Sequence, residues 1–157
     1  MPRGRHSLTF GIVFVSLLVL DQLTKYWVRN TFALYESRPF IGDWLFLTYS
    51  RNTGVAFGFG KNFAMVWTFF SVFFLIAVSL WWSRNQKSSS LTQTVAVACL
   101  LAGASGNLTD RWMHGYVIDF FDLRWWPIFN IADSAITIGA GLILLAEATR
   151  KHRIARS

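Results

Sequence analysis

Two carboxylates of this chain stand in strongly apolar surroundings. Asp119 lies in the run Tyr116-Val117-Ile118-Asp119-Phe120-Phe121, and Asp133 in Phe129-Asn130-Ile131-Ala132-Asp133-Ser134. An ionisable group within a membrane span costs roughly 2.5–3.5 kcal/mol on insertion scales, so each one calls for a physical reason. Burial disfavours the charged form, raises a carboxyl pKa and leaves the acid poised for proton transfer. Two such acids brought close cannot both ionise and hold one proton between them. That arrangement suits hydrolysis of a peptide bond. The ionised member takes a proton from water, while the protonated member polarises the carbonyl and the leaving amine is protonated in turn. Spacing alone does not choose between Asp119 and its neighbours Asp110 and Asp122, nor does it show which acids converge.

Each of these residues also has a plainer reading. Asp21 and Lys25 are four positions apart, so on a helix they form an i,i+4 pair that lets both enter the membrane together. Asp110 and Arg111 lie at a span end, where local ion pairing is the ordinary explanation. Asp133 could cap a helix, but a span starting near Ile128 places it about 7.5 Å inside, one turn too deep for that role. The site reading of Asp133 is therefore favoured.

Rival chemistries have less support. Gly103-Ala104-Ser105-Gly106 matches the G-x-S-G of rhomboid proteases, yet small residues in a membrane helix ordinarily make a packing surface. A serine nucleophile also needs a base, and only His114 lies on the relevant side. There is no H-E-x-x-H, and Asp110, His114, Asp119 and Asp133 offer one imidazole among them, so no metal or other cofactor is expected. A membrane proton or ion transporter is the alternative of another class, because intramembrane acids often mark ion paths. Here the acids gather at one side, with only Glu147 near the other.

These side chains must be positioned by membrane-spanning elements. The sequence is 54% hydrophobic and 15% charged, with mean hydropathy +0.39, which excludes a disordered or collagen-like chain. Phe63 to Trp82 is twenty residues without a charge, enough to cross a hydrocarbon core of about 30 Å. Four spans are predicted, at 8–28, 63–82, 91–108 and 128–148, within a single domain covering 1–157. Segments 1–7, 83–90 and 149–157 hold eight basic residues and no acid, whereas 29–62 and 109–127 hold six basic residues and five acids. The positive-inside rule then places both termini in the cytoplasm and the acids near the outer face. The same distribution explains the net charge of +7 without nucleic acid as a partner. Leu18-Val19-Leu20 runs into Asp21-Gln22 without small residues, so the first span reads as retained. Cys99 is the one cysteine, which excludes an internal disulfide. Segment 29–62 carries Trp44-Leu45-Phe46-Leu47-Thr48-Tyr49 and then glycines at 54, 58 and 60, a pattern of short strands and turns resting on the membrane surface.

Five strings in register give this chain a resemblance. Asp21-Gln22-Leu23-Thr24-Lys25, Asn52-Thr53-Gly54-Val55-Ala56-Phe57, Gly106-Asn107-Leu108-Thr109-Asp110-Arg111, Val117-Ile118-Asp119-Phe120 and Phe129-Asn130-Ile131-Ala132-Asp133-Ser134 resemble, in order, the signature regions of bacterial lipoprotein signal peptidase, signal peptidase II. The resemblance implies an all-α membrane protein of four transmembrane helices with a small extracytoplasmic β-cradle and a short lid helix. It implies an aspartic endopeptidase of the bacterial inner membrane, needing no cofactor. Such an enzyme cuts diacylglyceryl-modified prolipoproteins before the lipid-bearing cysteine, among membrane lipids, and is inhibited by globomycin. Asp119 and Asp133 would be the catalytic pair. Asn52, Asn107, Arg111 and Asn130 would hold substrate backbone or order the pair. Asp110 with Arg111, and Asp21 with Lys25, would support the site.

Overall fold

The computed structural model describes residues 3–54 and 63–154. Four helices, α1 (Arg3–Thr31), α2 (Phe63–Asn85), α3 (Leu91–His114) and α4 (Ile131–Ile154), are each long and apolar enough to cross a membrane. Three short strands, β1 (Ser37–Ile41), β2 (Leu45–Asn52) and β3 (Val117–Asp122), form one antiparallel sheet in the order β1-β2-β3.

Helix α3 is the centre of the bundle, while α1, α2 and α4 turn most of their apolar side chains outward, as helices in contact with lipid do. Its Ala96, Ala98, Ala102 and Ala104 are all buried. Small residues let α4 approach until backbone meets backbone: a Cβ at Gly103 would collide with the Ala132 carbonyl. The helix starts on a capping box, with the Ser90 hydroxyl accepting from Gln93 N–H and the Gln93 side chain accepting from Ser90 N–H.

The helices run past the predicted spans at several ends, Arg3–Thr31 for the first, to Asn85 for the second and to Ile154 for the fourth, and two further boundaries differ at the site. The third helix continues past Leu108 to His114, because Asn107 and Asp110, which look like the end of an apolar run, are buried against partners inside the protein. The fourth begins at Ile131 rather than Ile128, because Phe129 pairs with Phe121 as an extension of the sheet, donating its N–H to the Phe121 carbonyl at 3.1 Å. That shift moves Asp133 into the first turn of α4.

The sheet also takes a strand from outside segment 29–62. β1 and β2 come from that segment as expected, but β3 follows α3 and pairs with β2, aligning Ser50 with Asp119 and Asn52 with Val117. One side of the sheet is fixed to the end of α1 through a core of Val28, Phe32, Leu47, Tyr49, Ile118 and Phe120. No helix occurs between residues 33 and 54, and the rest of the stretch where a lid helix is expected, 55–62, lies outside the described residues.

Candidate active site

The site is assembled at the start of α4. Asn130 is the residue before its first turn, and its side-chain oxygen accepts from the Asp133 backbone N–H at 2.9 Å. The Asp133 Oδ2 accepts in return from the Asn130 backbone N–H at 3.2 Å. This is the reciprocal pattern of a capping box, with aspartate in the fourth position. The expectation that Asp133 lies too deep to cap a helix is thus corrected, since the helix starts three residues later than its apolar pattern suggests. Asp133 caps the helix and still has its other oxygen available. That oxygen, Oδ1, accepts from Asn107 Nδ2 of α3 at 2.7 Å.

Asp119 reaches the same place from β3. Its Oδ1 accepts from Asn130 Nδ2 at 2.6 Å, and its Oδ2 accepts from Asn52 Nδ2 of β2 at 2.9 Å. Asn130 therefore touches both carboxylates, one with its side-chain amide and one with its backbone N–H. The Asn130 amide also donates to the Asn107 oxygen at 3.1 Å and to the Ile118 carbonyl at 3.2 Å, which locks its orientation. Asp119 is buried. Burial, reinforced by the negative charge of Asp133, pushes its carboxyl up to about 7, against the opposing pull of the Asn52 and Asn130 amides. Such a group still holds its proton about half the time at neutral pH, where an ordinary carboxyl is ionised, and can give it away.

Behind the pair lies a buried ionic network. Lys25 Nζ reaches Asp21 Oδ2 at 2.9 Å, Asp110 Oδ2 at 3.0 Å and Asn107 Oδ1 at 2.9 Å, so its three protons meet three acceptors. The i,i+4 pairing of Asp21 with Lys25 is present as the spacing indicates. Asp110 also takes the Ile118 N–H at 3.0 Å, tying α3 to the strand that carries Asp119. Asp21 Oδ1 takes the Ala132 N–H at 2.9 Å, a free donor of the first turn of α4, where negative charge is also favoured by the helix dipole.

One pairing is corrected. Asp110 does not bridge to Arg111 but to Lys25, because consecutive helical residues point to different faces. Arg111 instead donates from Nη1 to Ser71 Oγ of α2 at 3.2 Å. It lines a cleft of about 210 Å³ with Asn107 and Asp133 at its polar end and Phe70, Phe74 and Ile136 as apolar walls. A larger hollow of about 750 Å³, bordered by His6, Phe10, Trp82 and Lys87, lies at the other end of the helices and has no carboxylate among its lining residues.

Sequence reasoning passed over Gln22 and Ser71. Gln22 Nε2 lies within 3.2 Å of Asp21 Oδ2, Asp110 Oδ1 and the Gly106 carbonyl, closing the network from the side. Its place between Asp21 and Lys25 was the available signal. Ser71, one of three hydroxyl residues between Phe63 and Trp82, carried none. Asp122 takes part in neither cluster: it accepts from Thr48 Oγ1 and from the Arg124 backbone N–H, each at 2.8 Å.

The serine alternative finds no constellation. Ser105 lines a separate hollow with Leu75, Leu108 and Trp112, while His114 is held by Arg29 Nη1 at 2.9 Å from Nε2. Nine residues of helix separate the two, about 13 Å along the axis. Ser105→Ala is accordingly expected to keep peptidase turnover within about twofold of wild type, the range of an uninvolved surface change. Complete loss in a folded Ser105→Ala protein would restore the nucleophile reading.

Known proteins resemble this chain over most of its length. Residues 13–149 match the family model described as Signal peptidase (SPase) II. The lipoprotein signal peptidase of Syntrophomonas wolfei is 41% identical over 134 residues, covering 84% of this chain and 87% of that protein. That of Shewanella pealeana is 45% identical, covering 85% and 82%, and that of Pasteurella multocida 38% identical, covering 97% and 96%. A solved structure described as a bacterial membrane enzyme determined by the in meso method superposes with a TM-score of 0.82 at 35% identity, covering 88% of this chain and 91% of that one.

Proposed function

Because this chain belongs to the signal peptidase II family and is a bacterial membrane peptidase that processes lipoproteins, we propose that Asp119 and Asp133 are its catalytic pair. The observation that carries this reading is the single residue Asn130, which binds both carboxylates and holds them to one place. The remaining residues then take roles from their contacts. Asn52 and Asn107 orient the acids, Arg111 faces the cleft where a substrate backbone would lie, and Asp21, Lys25 and Asp110 keep the start of α4 beside β3.

In this mechanism Asp119 is the protonated member and Asp133, with two N–H donors at a helix N-terminus, the ionised one. Asp133 takes a proton from water as the water oxygen bonds to the scissile carbonyl carbon. Asp119 gives its proton to the carbonyl oxygen, leaving a neutral tetrahedral diol. Asp133 then delivers its proton to the amide nitrogen, the C–N bond breaks, and Asp119 recovers a proton from the diol. An acid and a base are returned to their starting states, so no metal or cofactor enters the cycle.

The substrate we assign is a prolipoprotein cut before a cysteine bearing diacylglycerol. Two acyl chains keep such a substrate in the bilayer, where it arrives by lateral diffusion among membrane lipids. The sheet packs on the Val28–Phe32 end of α1, opposite the end where the basic first residues of that helix begin, and the positive-inside rule then puts both termini in the cytoplasm and the acids near the outer face. Globomycin is expected to compete for the same cleft. The test is incubation of the purified protein with a diacylglyceryl-modified prolipoprotein and with its unmodified form. Cleavage of the first alone supports the assignment, and equal cleavage of both removes the lipid from it.

A pH dependence follows from the proton on Asp119. Its carboxyl is raised from 3.8 to about 7, so cleavage is expected to decline as pH rises through that value and the acid is lost. Stability moves in the same direction. A raised folded-state pKa leaves stability unaffected below the unfolded value, then subtracts from it progressively until Asp119 itself ionises. Asp119→Asn should therefore gain in thermal stability relative to wild type between about pH 4 and pH 7. A flat rate profile across neutrality would contradict the assignment of Asp119 as the acid.

A further inference from the structure

Helix α2 is anchored at one end and bridged at the other. Towards the chain-terminal side its Leu75, Val78 and Trp82 pack with Phe10, Phe14, Val97 and Leu101. Towards the acids, a cleft separates it from α3 and α4, and among the described residues hydrogen bonds cross to the site from Trp67 and Ser71, one helical turn apart. One is Ser71 to Arg111, and the other is Trp67 Nε1–H to the Gly54 carbonyl at 3.0 Å. The two are linked, since Ser71 Oγ donates to the Trp67 carbonyl at 2.8 Å and so has a lone pair left for Arg111.

Trp67 is 43% exposed on a lipid-facing helix. A tryptophan in that setting usually turns its N–H to water or headgroups. Here the N–H is committed to a turn, and that turn leads directly to Asp119. Gly54 donates its backbone N–H to Asn52 Oδ1 at 2.8 Å, and Asn52 Nδ2 donates to Asp119 Oδ2 at 2.9 Å. The turn admits only glycine at 54, for two independent reasons: φ is +78°, and a Cβ would strike the Trp67 indole. The chain therefore runs from indole to carbonyl, from amide to amide, and ends on the carboxylate, with no intervening gap.

We propose that Trp67 is a positioning residue for the reaction, holding the Asn52 turn through Gly54 so that the Asn52 amide meets Asp119. This rests on the assignment of Asp119 as catalytic. The side chain does not reach the acids and acts only by fixing the residue that does.

The test uses the full-length enzyme in detergent with a diacylglyceryl-modified prolipoprotein. Trp67→Phe keeps an aromatic side chain, though a smaller one, and deletes the N–H. It is expected to lower kcat by about five- to tenfold, the scale of one lost hydrogen bond, with KM within about twofold. It should also move the alkaline limb of the rate profile to higher pH, because a loosened Asn52 stabilises the Asp119 carboxylate less. In an Asn52→Ala background the same substitution is expected to cost less than about twofold, since the path it acts through is already broken. Gly54→Ala, which perturbs the contact from its other side, should show the same dependence on Asn52. Equal losses in both backgrounds, or an unchanged kcat, would overturn the proposal. Asp119→Asn assayed in parallel separates the two claims. If it stays active, the catalytic assignment fails; if it is dead while Trp67→Phe behaves additively, only the positioning role fails.

Discussion

Asn substituted at Asp119 or at Asp133 is expected to abolish cleavage, by at least about a thousandfold, in a protein that remains inserted and folded. The size of the effect follows from the division of labour. Asp119→Asn removes the proton donor for the carbonyl oxygen, and Asp133→Asn removes the base for water. Neither partner can do both, so the double variant should be no worse than the single ones. Folding should survive because the amide keeps one acceptor oxygen at each place: position 119 can still accept from Asn130, and position 133 can still accept from the Asn130 N–H that closes the capping box. Turnover near wild type by either variant, with its thermal transition intact, would exclude the pair as the catalytic machinery.

A second large effect is expected at Lys25, in stability rather than chemistry. Lys25 is 1% exposed, and its ammonium is the shared partner of Asp21 and Asp110, themselves 1% and 2% exposed. Lys25→Met leaves two buried carboxylates without a cation and removes a donor from Asn107. Breaking a buried ion pair by deleting one partner typically costs about 3–5 kcal/mol, a large part of the stability of a domain this size. Low folded yield and a thermal transition many degrees below wild type are the measurable consequences. Adding Asp21→Asn and Asp110→Asn to Lys25→Met should recover part of the loss, because a neutral amide no longer carries the unpaired charge. A Lys25→Met protein as stable as wild type would mean that the network is not held as charged groups.

What the sequence disclosed depended on whether the controlling interaction was local. The spans were legible because stretches of about twenty mainly apolar residues have few other uses, and the Asp21–Lys25 pair because four residues make about one helical turn. The start of α4 was not. Ile128 and Phe129 continue the apolar run without interruption, and only the pairing of Phe129 with Phe121 shows that they belong to the sheet. The role of Asp133 as both cap and candidate base was hidden by that same offset. Likewise Asp110, Asp119 and Asp122 are equivalent by spacing. Their differences lie in what distant segments bring: Lys25 to the first, Asn52 and Asn130 to the second, Thr48 to the third. The third strand escaped notice because six residues after a long helix carry too little pattern to be paired with a hairpin sixty-odd positions earlier.

Isotope-edited infrared spectroscopy of the aspartate carboxyls, taken as the difference between wild type and Asp119→Asn, reads the shared proton without relying on turnover. The expected difference spectrum contains a protonated carboxyl stretch at mildly acid pH that fades through about 7, and that fades at lower pH once Asp133→Asn removes the neighbouring charge. A wild-type spectrum in which Asp119 is already fully ionised at about pH 5, as an ordinary exposed carboxylate would be, would contradict the account.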